Sequence, residues 1–344
     1  MNHNTMDAVV QVRKGKVAQA FEMRKVPVPQ PAAHEVLIRV EAFGLNYADG
    51  MAIKGQYRDA PPLPCVLGYD VCGTVADKGS AVTDIAIGDR VTAMTRFGGY
   101  AQYAVTDQRA VVRIDAATSL TDALALATQA ATAWYCTREA CTVYPGERVI
   151  VTAAAGGVGS LIVQLCKLQH AKVYGIVSTE KKEVIARSLG ADATLNRSKG
   201  DVFAQYEQLE GSKAIDVMFD SAGGSYIRKA MRSLAPGGRL VGYGGAQGND
   251  AGNIFKLVSF ALSFGFFHPA PFLLNSRSFT GVNMLRLADH KSGLVQHCLA
   301  KASQLFREGL LRPLPGKVYP VTDLVAAHND LMSGKVPGKI AITW

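Results

Sequence analysis

The chain has 344 residues, 48% of them hydrophobic and 19% charged, which suits two ordinary domains with well-buried cores and excludes a disordered or low-complexity protein. The formal net charge is +9, which suits a polyanion such as a phosphorylated cofactor, RNA or an acidic membrane surface; the basic residues are scattered, no run resembles a nucleic-acid arm, and charge alone does not choose among them. Six cysteines (Cys65, Cys72, Cys136, Cys141, Cys166 and Cys298) contain no Cys-x-x-Cys pair, and the polar residues 1–7 do not read as a secretory signal. A reducing, cytoplasmic setting is therefore expected, with most thiols acting as small apolar fillers.

The first third reads as β-rich. Val36, Ile38 and Val40 alternate with Leu37, Arg39 and Glu41, as in a partly buried strand. Turn signals then recur at Asp77-Lys78-Gly79, Gly88-Asp89 and Gly98-Gly99, beside strand-like runs at 71–76, 90–95 and 100–105. Short strands with this punctuation predict a small barrel-like β domain.

Near Ser119 the pattern changes. Strand-like runs at 148–153, 172–177, 216–219, 239–243 and 279–282 alternate with helical spacings such as Val158, Leu161, Ile162, Leu165 and Val184, Ile185, Leu189. Repeated strand–helix–strand units predict a parallel sheet covered on both faces, the doubly wound dinucleotide fold. The apolar stretch 254–274 holds Lys256, His268, Pro269 and Pro271, and its uninterrupted part falls short of the about 20 residues a bilayer helix needs. It predicts a buried helix or a subunit contact, with no integral membrane segment. A helix over 293–308 and a last helix and strand ending at Ile342 follow. If that strand returns to the first domain, the dinucleotide domain is an insertion within the β domain.

The strongest motif is Ala153-Ala154-Ala155-Gly156-Gly157-Val158-Gly159, placed after a strand and opening an amphipathic helix. Gly156 lets the backbone approach a pyrophosphate, Gly159 lets helix and strand sit close, and the helix amino terminus offers free N–H groups. Ala154 stands where the first glycine usually sits, so the fingerprint is a variant; a plain strand–helix turn is the alternative reading. NAD-binding chains place an acid about 20 residues on. Here Ser178 lies 19 positions after Gly159, and the next helix begins Thr179-Glu180-Lys181-Lys182. Lysines in a first turn oppose the helix dipole, and a 2′-phosphate would reverse that sign. NADPH is expected over NADH.

Further motifs run the length of the chain: Gly44-Leu45-Asn46-Tyr47-Ala48-Asp49, Gly55-Gln56-Tyr57, Pro61-Pro62-Leu63-Pro64, Gly88-Asp89-Arg90-Val91, Pro236-Gly237-Gly238 and Gly338-Lys339. In this order, with the glycine turn, they resemble the zeta-crystallin-like, zinc-free quinone oxidoreductases of the medium-chain dehydrogenase/reductase superfamily, above all their vesicle amine transport protein-like branch. The resemblance implies a GroES-like β-rich catalytic domain (1–127 and 284–344) and a Rossmann NADPH-binding domain (128–283). It implies hydride transfer to a quinone or an α,β-unsaturated carbonyl, and a homodimer joined through the sheet edge at 279–282.

The zinc members of that superfamily carry Cys where this chain has Asn46, and His-Glu where it has Tyr69-Asp70. An amide, a phenol and a carboxylate do not make a catalytic zinc site, so no metal is expected. The resemblance places Asn46 and Tyr57 beside the nicotinamide, with Tyr57 or water as proton donor and Asp49 in a structural role. The cofactor set is then Ala155, Gly156, Gly157, Val158 and Gly159 of the glycine turn, Ser178 and Lys182 from the charge pattern, and, by the resemblance, Thr132, Tyr243, Asn283 and Lys339, with Arg197 adding charge near the adenosine phosphate or lying at the plain surface. The competing reading is an NADPH-binding protein with little activity that associates with lipid, membrane or RNA.

Overall fold

The computed structural model describes residues 5–245, 254–265 and 268–344, with only the backbone of residues 254–257 and 271. It divides into two compact units, Met1–Ala131 with Met284–Trp344, and Thr132–Asn283. The boundary thus falls four residues beyond the expected start at residue 128.

The first unit holds β1 (Thr5–Gln11), β2 (Phe21–Pro27), β3 (Glu35–Leu45), β4 (Cys65–Val66), β5 (Asp70–Lys78), β6 (Arg90–Met94), β7 (Tyr103–Asp107) and β8 (Val111–Arg113). Long β3 organises it. Its alternating Val36, Ile38 and Val40 are buried, and it pairs antiparallel with β5, with two register shifts, and with β7. Tyr100 and Ala101, expected to begin a strand, are instead buried ahead of β7, where the Tyr100 ring lies 4.4 Å from that of Phe43. The small β2-β1-β4 sheet has no counterpart in the sequence reading.

The second unit holds β9 (Arg148–Val151), β10 (Lys172–Val177), β11 (Ala193–Asn196), β12 (Ile215–Asp220), β13 (Leu234–Gly242) and β14 (Ser278–Gly281). All are parallel, in the order β11-β10-β9-β12-β13-β14. Renumbered within the unit this is 3-2-1-4-5-6, the doubly wound arrangement expected. Helix Gly157–Lys167 buries Leu161, Ile162 and Leu165, the residues whose spacing predicted it.

β15 (Lys317–Pro320) and β16 (Ile340–Thr343) complete the first unit, with β16 antiparallel to β3 (Ile340 opposite Leu45). The carboxyl-terminal strand therefore does return to the amino-terminal sheet. The apolar stretch 254–274 forms two short helices, Ile254–Ser263 and Pro269–Asn275, with residues 266–267 outside the described set. Among the described residues no helix is long and apolar enough to cross a membrane. Cys136 and Cys141 are both buried, as apolar fillers should be, Cys136 within the helical turn Tyr135–Ala140 and Cys141 just past its end in extended backbone.

Candidate active site

In the first unit, topology brings four distant polar residues to one end of the sheet. Strands β16, β3 and β5 are neighbours and alternate in direction, so the end of β3 meets the starts of the other two. Asn46 follows β3, Asp70 opens β5, and Lys339 immediately precedes β16. Thr128 arrives on a π-helical turn, Leu126–Ala130, a local widening frequent at functional sites. Gly44 leaves the room: a Cβ there would collide with the Asp70 carboxylate and the Lys339 stem.

The Lys339 ammonium and the Asp70 carboxylate are both fully buried and lie 2.8 Å apart. The ammonium also donates to Asn46 Oδ1 at 2.8 Å and to Thr128 Oγ1 at 3.1 Å. Thr128 in turn donates to Asn46 Oδ1 at 3.3 Å, and Asn46 Nδ2 donates to Asp70 Oδ1 at 2.5 Å. An ammonium has three protons, and all three are engaged within this cluster. Lys339 was assigned to the cofactor by resemblance; its side chain is instead turned into the protein.

Asp49 lies behind Asn46 and accepts its backbone N–H at 2.7 Å. Burial, partly offset by that hydrogen bond, pushes the Asp49 carboxyl up to about 7. Tyr57 follows helix Tyr47–Ile53, half-buried, its ring edge-on to Tyr69 at 6.0 Å. Burial and the neighbouring Asp59 carboxylate raise the Tyr57 phenol above its ordinary value, so it stays protonated at neutral pH. Tyr69 is buried, and its hydroxyl has no partner among the described residues.

In the second unit the glycine turn lies between β9 and helix Gly157–Lys167. Ala153 takes a left-handed φ of 50°, and the Gly156 N–H closes the turn on its carbonyl at 2.8 Å. A Cβ on Gly159 would strike the Ala153 carbonyl, so only glycine permits this close approach of helix to turn. Gly156 caps the helix and, as glycine, brings no side chain to bond its first turn. The N–H groups of Gly157, Val158 and Gly159 thus present a positive concavity, with Ala155 at its rim.

Ser178 directly follows β10 and Arg197 directly follows β11; the preceding residues, Val177 and Asn196, are paired in register. Lys182, in the first turn of helix Glu180–Ser188, is half-buried, and burial together with the nearby Arg197 charge lowers its pKa. Tyr243 follows β13, its N–H bonded to the Asp220 carbonyl at 2.9 Å, and Asn283 follows β14. Thr132 begins the unit within helix Ala131–Trp134. The expected cofactor residues other than Lys339 and Thr132 therefore follow the carboxyl ends of β9, β10, β11, β13 and β14, where dinucleotides bind this fold.

Residues 32–116 match the family described as alcohol dehydrogenase GroES-like domain, and residues 157–300 that described as zinc-binding dehydrogenase. Quinone oxidoreductase-like protein 2 of Mus musculus is 31% identical over 317 residues, covering 92% of this chain and 87% of that protein. The chain belongs to the medium-chain dehydrogenase/reductase superfamily. Within it, the quinone oxidoreductase-like group is the one it joins, near the synaptic vesicle membrane protein VAT-1 homolog of Homo sapiens, 28% identical over 94% of this chain and 82% of that protein. A quinone oxidoreductase structure from Pseudomonas syringae pv. Tomato DC3000 superposes with a TM-score of 0.84 at 28% identity, over 98% of this chain and all of the other. The structure of mycobacterial Rv1454c complexed with NADPH gives 0.83 at 26% identity, over 98% of this chain and 100% of that one.

The sequence reading missed Thr128 and the partnership of Asp70 with Lys339. A buried Lys–Asp pair leaves no local pattern, because its members are 269 positions apart and each looks like a surface charge. Among the described residues no group of three or more His, Cys, Asp or Glu side chains is placed to hold a metal.

Proposed function

We propose that the protein is an NADPH-dependent, zinc-independent oxidoreductase that delivers a hydride to a quinone or an α,β-unsaturated carbonyl compound. The observation that carries this reading is the helix Gly157–Lys167, entered through a turn that no side chain caps, with Lys182 and Arg197 at the ends of the next strands. Those N–H groups fit a pyrophosphate, and the cations fit a 2′-phosphate. The NADPH named in the mycobacterial complex supports the same choice. When bound, the reduced nicotinamide supplies the hydride.

In a medium-chain dehydrogenase, a catalytic zinc needs a set of soft or nitrogen donors with an open position. Here the corresponding residues are an amide, a phenol and a carboxylate already neutralised by the Lys339 ammonium, beside which a divalent cation would be repelled. A conjugated acceptor needs no Lewis acid, since its charge spreads to a remote oxygen. Asn46 and the protonated phenol of Tyr57 are the donors we assign to that oxygen, with the final proton coming from Tyr57 or water. The six unbridged cysteines suit a reducing compartment such as the cytoplasm. The test follows NADPH absorbance with quinones and enones in parallel, with and without strong chelator. Turnover that survives chelation is expected; one stoichiometric zinc whose removal stops turnover would refute the assignment.

Cofactor choice gives a sharper expectation. Lys182→Ala should raise the KM for NADPH about tenfold to a hundredfold, the worth of one charge-assisted hydrogen bond, and leave that for NADH nearly unchanged. Equal weakening of both cofactors would mean that Lys182 supports the fold rather than the 2′-phosphate.

A homodimer is the association we expect. β14 is an edge strand with Phe279 41% exposed, and Leu273 and Leu274 on the preceding helix are 80% and 83% exposed. An open edge with an apolar neighbour tends to be covered. Light scattering at micromolar concentration should give the mass of two chains, and a mass of 36.7 kDa would count against pairing.

A further inference from the structure

We propose that Lys339 is a positioning residue that acts through Asn46: with Asp70 and Thr128 it locks the Asn46 amide in one orientation and polarises it toward the acceptor oxygen. This rests on the assignment of Asn46 as a donor to that oxygen.

The geometry leaves the amide no alternative. Asn46 Oδ1 accepts from Lys339 at 2.8 Å and from Thr128 at 3.3 Å, so both of its lone pairs are filled. Asn46 Nδ2 gives one proton to Asp70 Oδ1 at 2.5 Å. Flipping the amide would set an NH2 group against an ammonium and a carbonyl oxygen against a carboxylate, two repulsive contacts in a buried setting. The second Nδ2 proton has no acceptor among the described residues, on a side chain that is half-buried rather than sealed. The amide therefore offers a single donor of fixed direction.

Its strength is set by the same contacts. A cation on the amide oxygen draws electron density from the nitrogen and makes the remaining N–H a better donor, the cooperative effect of linked hydrogen bonds in a low-dielectric site. Lys339 is itself fully buried and holds this field without touching substrate, while Asp70, equally buried, fixes the ammonium and the other N–H. The arrangement is prepared before the acceptor arrives, as electrostatic stabilisation of a developing oxyanion requires. Gly44 is part of the device, because any side chain there would displace both charged groups.

The experiment compares Lys339→Met, and the double variant Asp70→Asn/Lys339→Met as the charge-neutral form that keeps the fold, in the natural chain and in an Asn46→Ala chain. The probes are NADPH with a simple quinone, NADPH binding by fluorescence, and NMR of the Asn46 side-chain amide, assigned by its loss in Asn46→Ala. In the natural chain the double variant should lower kcat about tenfold while NADPH affinity stays within about twofold. In the Asn46→Ala chain the same replacement should change kcat by less than about twofold, since its route of action is already gone. The Asn46 amide protons should exchange faster with solvent in the double variant, whatever the turnover. Lys339→Arg should restore part of the loss.

Equal losses of kcat in both backgrounds would overturn the proposal, as would a selective loss of NADPH affinity, which would return Lys339 to the cofactor. If Asn46→Ala leaves kcat intact, the donor role assigned to Asn46 falls. The exchange measurement then still decides whether Lys339 holds the amide.

Discussion

Lys339→Met is expected to destabilise the first unit by about 3–5 kcal/mol, the cost of leaving a buried charge without its partner. The Asp70 carboxylate is fully buried and, among the described residues, keeps only the Asn46 amide once the ammonium is gone. Asp70→Asn/Lys339→Met removes both charges and should recover more than half of that loss. The two effects are thus strongly non-additive, as expected for groups in direct contact. Trp344, whose ring lies 5.9 Å from that of Phe43 in the same unit, reports the transition by its fluorescence. A Trp134→Phe background silences the second unit, since the chain has two tryptophans. If the single and double variants lose the same stability, the pair is not the buried charge partnership described above.

A second large effect concerns acid, and involves two buried groups that pull in opposite directions. Asp49 titrates near 3.8 when unfolded and at about 7 when folded, raised mainly by burial. On acidification the folded protein therefore binds this proton first, and stability rises as pH falls from about 7 to about 4, by about 4 kcal/mol. His328 behaves in the reverse way. Burial lowers it from 6.5 to about 4, so the unfolded chain takes its proton first and stability falls by about 3 kcal/mol between pH 6.5 and pH 4.

The two groups share a neighbour. His328 Nε2 lies 3.4 Å from the hydroxyl of Tyr100, which also helps to set the Asp49 carboxyl. In the natural chain the two contributions largely cancel. Asn at position 49 should expose the His328 term: relative to the natural chain, Asp49→Asn loses stability as pH falls from about 7 to 4. His328→Gln should do the opposite and gain over the same range. Urea unfolding at several pH values between 4 and 7.5 measures both differences. Parallel profiles for all three proteins would show that neither group carries a shifted pKa.

The glycine turn at Ala153–Gly159 and the alternation of strands with amphipathic helices were legible in the sequence because they are local. A turn that must approach a phosphate needs glycine, and a buried parallel strand needs a short apolar run. The same locality made Ser178 and Lys182 readable, since an acid at the end of β10 or its lack is a single-residue signal. The three-stranded β2-β1-β4 sheet was not readable as a whole, because β4 joins it from more than fifty residues away, Val66 pairing with Val10. Tyr100 was misplaced for a related reason: its burial comes from Phe43 and His328 rather than from a strand of its own.

The sequence by itself determined the two-part architecture, the glycine turn and the basic residues after the next two strands, all of which follow from short-range pattern and charge. Only the tertiary structure decided what Lys339 does. Read along the chain it is a lysine after a glycine, of a kind usually left in water. Three antiparallel strands bring it against Asp70, Asn46 and Thr128, and a fully buried ammonium is tolerable there only because every one of its protons finds an oxygen.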